Sequence, residues 1–141
     1  MRLSTKGKYG VQAMFELAMH GKNGPLSLKA IAERQGLSEH YLEQLAAPLR
    51  KAGLVHSVRG AQGGYQLARA ANQITVGEVL RVLEGPIEFA EVDSAKPDCP
   101  VQSVWSRVTA SMCDVLDSTT LADLVEAELA RNTSGTLFFE I

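Results

Sequence analysis

The chain has 141 residues, 45% of them hydrophobic and 21% charged, which suffices for an ordinary packed core and excludes global disorder. No apolar run reaches the length of a membrane span, and the first residues lack the apolar stretch of a secretory signal. A cytoplasmic protein with reduced thiols and no membrane partner is therefore expected. Two cysteines, Cys99 and Cys113, exclude a disulfide framework and a four-cysteine zinc site within one chain.

The formal charge of -2 hides an asymmetry. Residues 1–60 hold nine Lys and Arg against four Glu, a balance of +5, whereas residues 61–141 hold five against twelve acidic residues, a balance of -7. A basic half of this kind suits a polyanion such as double-stranded DNA, and the acidic half must do something else.

The first predicted helix runs from Thr5 to about His20, where Val11, Met14, Phe15 and Ala18 share a face, and Gly21 to Pro25 ends it. Ser27 is a candidate N-cap for a short second helix bearing Leu28, Ile31 and Ala32 and closed by Gly36. Ser38 then caps a third, with Leu42, Leu45, Ala46 and Leu49 on one face. Pro48 removes the bond to residue 44 and is expected to bend or restart this helix.

Two short helices joined by a tight glycine-containing turn form a helix-turn-helix pattern. The outward face of the third helix shows His40, Tyr41, Glu43 and Gln44, with Arg50 and Lys51 near its end. Gln can pair with adenine, Glu can accept from cytosine, and His or the capping Ser38 can donate to a base edge. The terminal cations suit phosphates. A merely solvated face would carry similar residues, and that reading stays open on this segment alone.

Strand-like runs at Leu54 to Val58 and Tyr65 to Leu67 flank a glycine-rich turn, so a hairpin follows the recognition helix directly. It reads as a wing. Arg59 stands at its tip, and Gly63 and Gly64 on the far side let the backbone approach a phosphate or enter the minor groove. An ordinary surface turn is the plainer alternative.

Downstream, Thr75 and Glu78 form a capping box for a helix through Leu83, and Gly85-Pro86 stops it. An acidic irregular stretch to residue 98 follows. Asp98 or Cys99 then caps a longer helix with Pro100 near its first position. Val101, Val104, Trp105, Val108, Met112 and Val115 make a stripe on it too large for a lone helix to leave in water, so a second copy of the helix, or packing within the monomer, must cover it. Thr120 and Asp123 cap a final helix through about Leu129, and Ser134 to Ile141 form an apolar tail. The expected class is mainly α with a small β wing. Residues 1–70 form a winged helix-turn-helix domain, and residues 71–141 supply a linker helix, an acidic loop, a dimerisation helix and a tail. Three scattered histidines, at 20, 40 and 56, assemble no catalytic set, and an enzyme is not expected.

Four segments in register carry a resemblance: Met1 to Gly10, Leu37 to Leu45, Gly53 to Gly60, and Gly63-Gly64-Tyr65. They resemble the Rrf-two family of bacterial winged-helix regulators, and the likeness continues through Ile74–Gly85 and Leu116–Leu121. It implies a homodimer that binds palindromic operators and usually represses. Carried over by motif, His40, Glu43, Gln44 and Arg59 touch DNA, with Lys6, Tyr9 and the wing glycines near its backbone.

Within the family the likeness is strongest to repressors of cysteine metabolism, in Ser38–Tyr41, Pro48–Arg50 and Leu80–Ile87, and more distant to the iron–sulfur cluster regulators. The expected function is thus a repressor of cysteine or sulfur genes. The alternatives are an iron–sulfur or redox-responsive regulator of the same family and a dimeric adaptor that does not bind DNA. The cluster regulators carry three close cysteines and a histidine around the start of the dimer helix. Here residues 93–102 keep only Cys99, and Gln102 stands where the histidine would be, so no cluster or other cofactor is expected. Cys99, at a helix N-terminus, is either a redox-sensing thiol or a packing residue, with Asp98 disfavouring the thiolate. The resemblance also implies cysteine synthase as a partner, with Ile141 able to imitate an amino-acid substrate at the chain terminus; a tail packed on its own dimer is the alternative.

Overall fold

The computed structural model describes residues 3–140, with side chains through residue 133. Their elements, in order, are α1 (Thr5–His20), α2 (Leu28–Gln35), α3 (Glu39–Lys51), β1 (Val55–Val58), β2 (Gly64–Leu67), α4 (Val76–Glu84), α5 (Pro100–Ser118) and α6 (Leu121–Glu140). This is the mainly α, winged arrangement read from the sequence.

The helices begin where short hydroxyl side chains can take up orphan backbone donors. Ser27 accepts from Ala30 N at 3.1 Å, Ser38 from Tyr41 N at 3.1 Å, and Thr75 from Glu78 N at 3.1 Å. Ser4 does the same for α1, accepting from Gly7 N at 3.3 Å. Each such cap stabilises its helix by about 1 kcal/mol. The box at α4 is only half made, because the Glu78 carboxylate turns to Arg69, at 2.7 and 2.8 Å, instead of reaching back to Thr75. The box at α6 is reciprocal: Thr120 N donates to Asp123 at 2.9 Å and Asp123 N donates to Thr120 at 3.1 Å.

One core holds the chain together. Met14, Leu17, Ile31, Leu42, Leu45, Leu49 and Leu54 pack with Ile74, Val79, Leu83 and Leu121, so residues on both sides of position 70 share a single apolar cluster. Gly10 allows α1 and α4 to approach, since a Cβ there would lie 1.9 Å from Leu83 Cδ1. The starts of α4 and α6 are stitched by backbone bonds, Val76 N to Thr119 O and Leu121 N to Ile74 O, both at 2.9 Å. A two-pronged ion pair, Arg81 to Asp117 at 2.5 and 2.8 Å, ties α4 to α5.

Two expectations are corrected. Helix α3 runs through Pro48 without restarting, because Leu45, Ala46 and Leu49 are buried on both sides of the missing bond and the Pro48 carbonyl still accepts from Ala52 N at 3.0 Å. Helix α6 does not stop near Leu129 but continues to Glu140. No proline interrupts residues 121–140, and adding a residue to an existing helix avoids the cost of nucleation. The packing of the tail side chains from Ser134, and Ile141 itself, lie outside the described residues. Among the described residues no helix is long and apolar enough to cross a membrane.

Candidate nucleic-acid interface

The apolar stripe of α3 dictates what its other face does. Leu42, Leu45, Ala46 and Leu49 are buried, which forces Glu39, His40, Glu43, Gln44, Ala47, Arg50 and Lys51 outward. His40, Glu43 and Gln44 lie three and four residues apart and form one patch, in which His40 Nε2 and Gln44 Nε2 are 3.3 Å apart. Ser38 is exposed at the cap. Tyr41 is half-buried and meets Tyr9 of α1 edge to face, with ring centroids 6.3 Å apart at 87°. Both tyrosines pack against the core, so they position α1 on α3. Lys6 is exposed in the first turn of α1.

The wing is an antiparallel pair with Val55 opposite Leu67 and Val58 opposite Gly64. It does not stand alone. Leu26, just before α2, exchanges two backbone bonds with Tyr65: Leu26 N donates to Tyr65 O at 3.0 Å and Tyr65 N to Leu26 O at 2.9 Å. A Cβ on Gly64 would sit 2.5 Å from the Leu26 carbonyl, and one on Gly63 2.1 Å from Val58 O. Both glycines are thus demanded by the fold of the wing itself. Arg59 and Gly60 are exposed at its tip.

Sequence reading missed three features here. Ala47 completes the outer face of α3 and offers a methyl of the kind that contacts thymine; its spacing from Gln44 could have shown this. His56 and Gln66 are cross-strand partners joined at 3.1 Å, visible only once the register is known. The Leu26 pin has no local signal.

Charge is divided functionally. In the acidic half, Arg69, Arg81 and Arg131 are committed to Glu78, Asp117 and Glu128. The hydrogen bonds from Arg69 and Arg81 hold the carboxyls of Glu78 and Asp117 below the usual carboxylate range. In the basic half, Arg34 and His20 face Glu16 at 3.5 and 3.4 Å, whereas Lys6, Arg50, Lys51 and Arg59 make no ion pair among the described residues. These four cations remain available to phosphates.

Helix α5 buries none of its residues within the chain. Val101, Val104 and Val115 are 55%, 43% and 63% exposed, too much apolar surface for a free face. Trp105 leans on Phe89 at 5.7 Å, and Val108 and Met112 line an open apolar cleft of about 520 Å³ between α4, the loop after it and α5. At the start of α5, Cys99 is a half-buried N-cap residue whose side chain makes no capping bond, Asp98 is exposed beside it, and Gln102 accepts from Asp93 N at 3.0 Å. An iron–sulfur cluster asks for four ligands, usually thiolates. This place offers one, and Cys113 stands fourteen residues further along the helix, about 21 Å away. No group of three or more His, Cys, Asp and Glu among the described residues is placed to hold a metal ion. Within the described residues this place therefore supplies a single thiolate.

Residues 3–127 match the model of the Rrf2 family, described as an iron-dependent transcriptional regulator. The chain belongs to the Rrf2 family. Its relatives include the transcriptional regulator CymR of Bacillus subtilis (strain 168), 53% identical over 125 residues that span 88% of this chain and 89% of that protein. The solved structure of CymR, the global cysteine regulator of B. subtilis, superposes with a TM-score of 0.83 at 51% identity, covering 90% of this chain and 98% of that one. IscR from T. potens superposes with a TM-score of 0.78 at 58% identity, covering 91% and 88%. These Rrf2 relatives are regulators of transcription and not enzymes, as the sequence reading held.

Replacing the glycine that lets the wing lie on Leu26 tests this construction. Gly64→Ala should destabilise the protein by about 1–3 kcal/mol, read from the urea midpoint, because the added methyl meets backbone at a strained φ of +155°.

Proposed function

We propose that this Rrf2 regulator is a homodimeric, sequence-selective DNA-binding repressor of cysteine or sulfur-metabolism genes, acting in the cytoplasm on palindromic operators and without a resident iron–sulfur cluster. The observation that carries it is that Lys6, Arg50, Lys51 and Arg59 make no ion pair among the described residues while α3 exposes His40, Glu43 and Gln44, in a chain with 53% identity to CymR. His40, Glu43 and Gln44, flanked by Ser38 and Tyr41, read base edges in the major groove. Lys6, Tyr9 and Arg50 meet the phosphate backbone, and Arg59 enters the minor groove from a wing whose glycines, Gly63 and Gly64, keep it close-packed. Val101, Val104, Trp105, Val108, Met112 and Val115 of α5 pair with the same helix of a second copy, which sets two recognition helices about 34–36 Å apart, one turn of DNA. The likeness to IscR favours a cluster regulator, but the single thiol at the start of α5 weighs against that reading. Cysteine synthase is the proposed protein partner, engaged through the tail at Ile141.

Fluorescence anisotropy across a salt series, on promoter duplexes of its own gene and of cysteine-synthesis genes, tests the reading. The protein should bind selectively. Arg59→Ala should weaken binding and lower the slope of log K against log salt by about one per protomer. Indifference between these promoters and unrelated DNA would favour the adaptor. In the same assay cysteine synthase should strengthen binding, and deletion of Ile141 should abolish that gain; an unchanged gain removes the tail from the partnership.

A further inference from the structure

The outer face of α3 carries one side-chain hydrogen bond, between His40 and Gln44. Both residues are exposed, and an i, i+4 polar pair in water adds little to stability. Its consequence is orientation. A free glutamine amide samples several rotamers and can present its oxygen and nitrogen in either order. Here Nε2 of Gln44 faces Nε2 of His40 at 3.3 Å. An amide nitrogen has only hydrogens to give, so in this contact the ring nitrogen is the acceptor. One N–H of Gln44 is then taken up by His40, and what remains is one N–H and Oε1, a donor and an acceptor in a fixed order.

That remaining pair matches one base. Adenine shows N7, which accepts, beside N6–H₂, which donates; guanine shows two acceptors, O6 and N7, and would leave Oε1 facing another oxygen. Cytosine and thymine offer a single polar group each. We propose that His40 is a positioning residue that clamps the Gln44 amide and thereby makes α3 selective for adenine at the base pair opposite Gln44. The inference rests on the DNA-binding reading and deepens it: two residues that look like separate contacts act as one reading unit. Glu43, between them in sequence, takes no part in the clamp.

The test uses the full-length protein and duplexes that it selects from a randomised library. With the base pair opposite Gln44 then varied, affinities are measured for the wild type, His40→Ala, Gln44→Ala, the double variant and His40→Asn. In the wild type, replacing the A·T pair should cost about tenfold in affinity. His40→Ala should lose most of that discrimination while keeping the wild-type salt slope, because no phosphate contact is touched. In the Gln44→Ala background it should have no further effect on discrimination. Asn at position 40, which keeps an acceptor for the amide, should restore part of it. Full discrimination in His40→Ala, or losses that multiply independently in the double variant, would overturn the clamp. A wild type that selects no sequence from the library would overturn the DNA-binding reading itself, and the clamp with it, and that failure differs visibly from the other two.

Discussion

The packing of three leucines of α3 into the common core is the constraint on which the rest depends. Leu42, Leu45 and Leu49 are each at most 3% exposed, and no rotation of the helix can hide them and its polar residues together. Burying one face therefore presents the other at a fixed angle. The core that holds it is not confined to the first half of the chain. Ile74, Val79, Leu83 and Leu121 close it from the far side, so the elements carrying α5 are built into the same solid body as the recognition helix. The Arg81–Asp117 pair and the backbone stitches at Val76 and Leu121 extend that rigidity to the end of α5 and the start of α6. A helix that pairs with its copy on such a frame hands its symmetry on to α3.

The charge pattern follows the same division. A cation paired with a carboxylate is poorly placed to release the counterions of a phosphate backbone. In the acidic half the pairs are made, with two carboxyls held ionised by their arginines. In the basic half the cations at the ends of α1, α3 and the wing are left without acidic partners among the described residues. The net charge of -2 therefore says little about what the DNA-facing surface carries.

Much of this was legible in the sequence because the signals are local. Ser27, Ser38 and Thr75 sit one residue before their helices, Gly36 and Gly85 close two of them, and the hairpin announces itself by glycines between short apolar runs. What could not be read came from contacts between distant segments. Glu78 looks like half of a capping box until Arg69 claims its carboxylate, and the packing of Gly64 against Leu26, a demand separate from any approach to DNA, has no local signal. Pro48 does not restart α3 for another reason: the local rule counts one lost hydrogen bond, whereas buried side chains on both sides of it hold the helix in place. The length of α6 was underestimated because apolar residues after Leu129 lost their helical spacing, though nothing in the sequence forces the helix to end.

The central claim is that two copies of α3, held by paired α5 helices, read a two-fold operator together. The most direct measurement compares the affinity of the full-length protein for a duplex carrying both half-sites with its affinity for a duplex carrying one, under identical salt. The account predicts that the double site binds more tightly by about a hundredfold or more, since the second contact is made within an assembled dimer. Equal affinities for the two duplexes would contradict it, because recognition helices that act singly gain nothing from a second half-site.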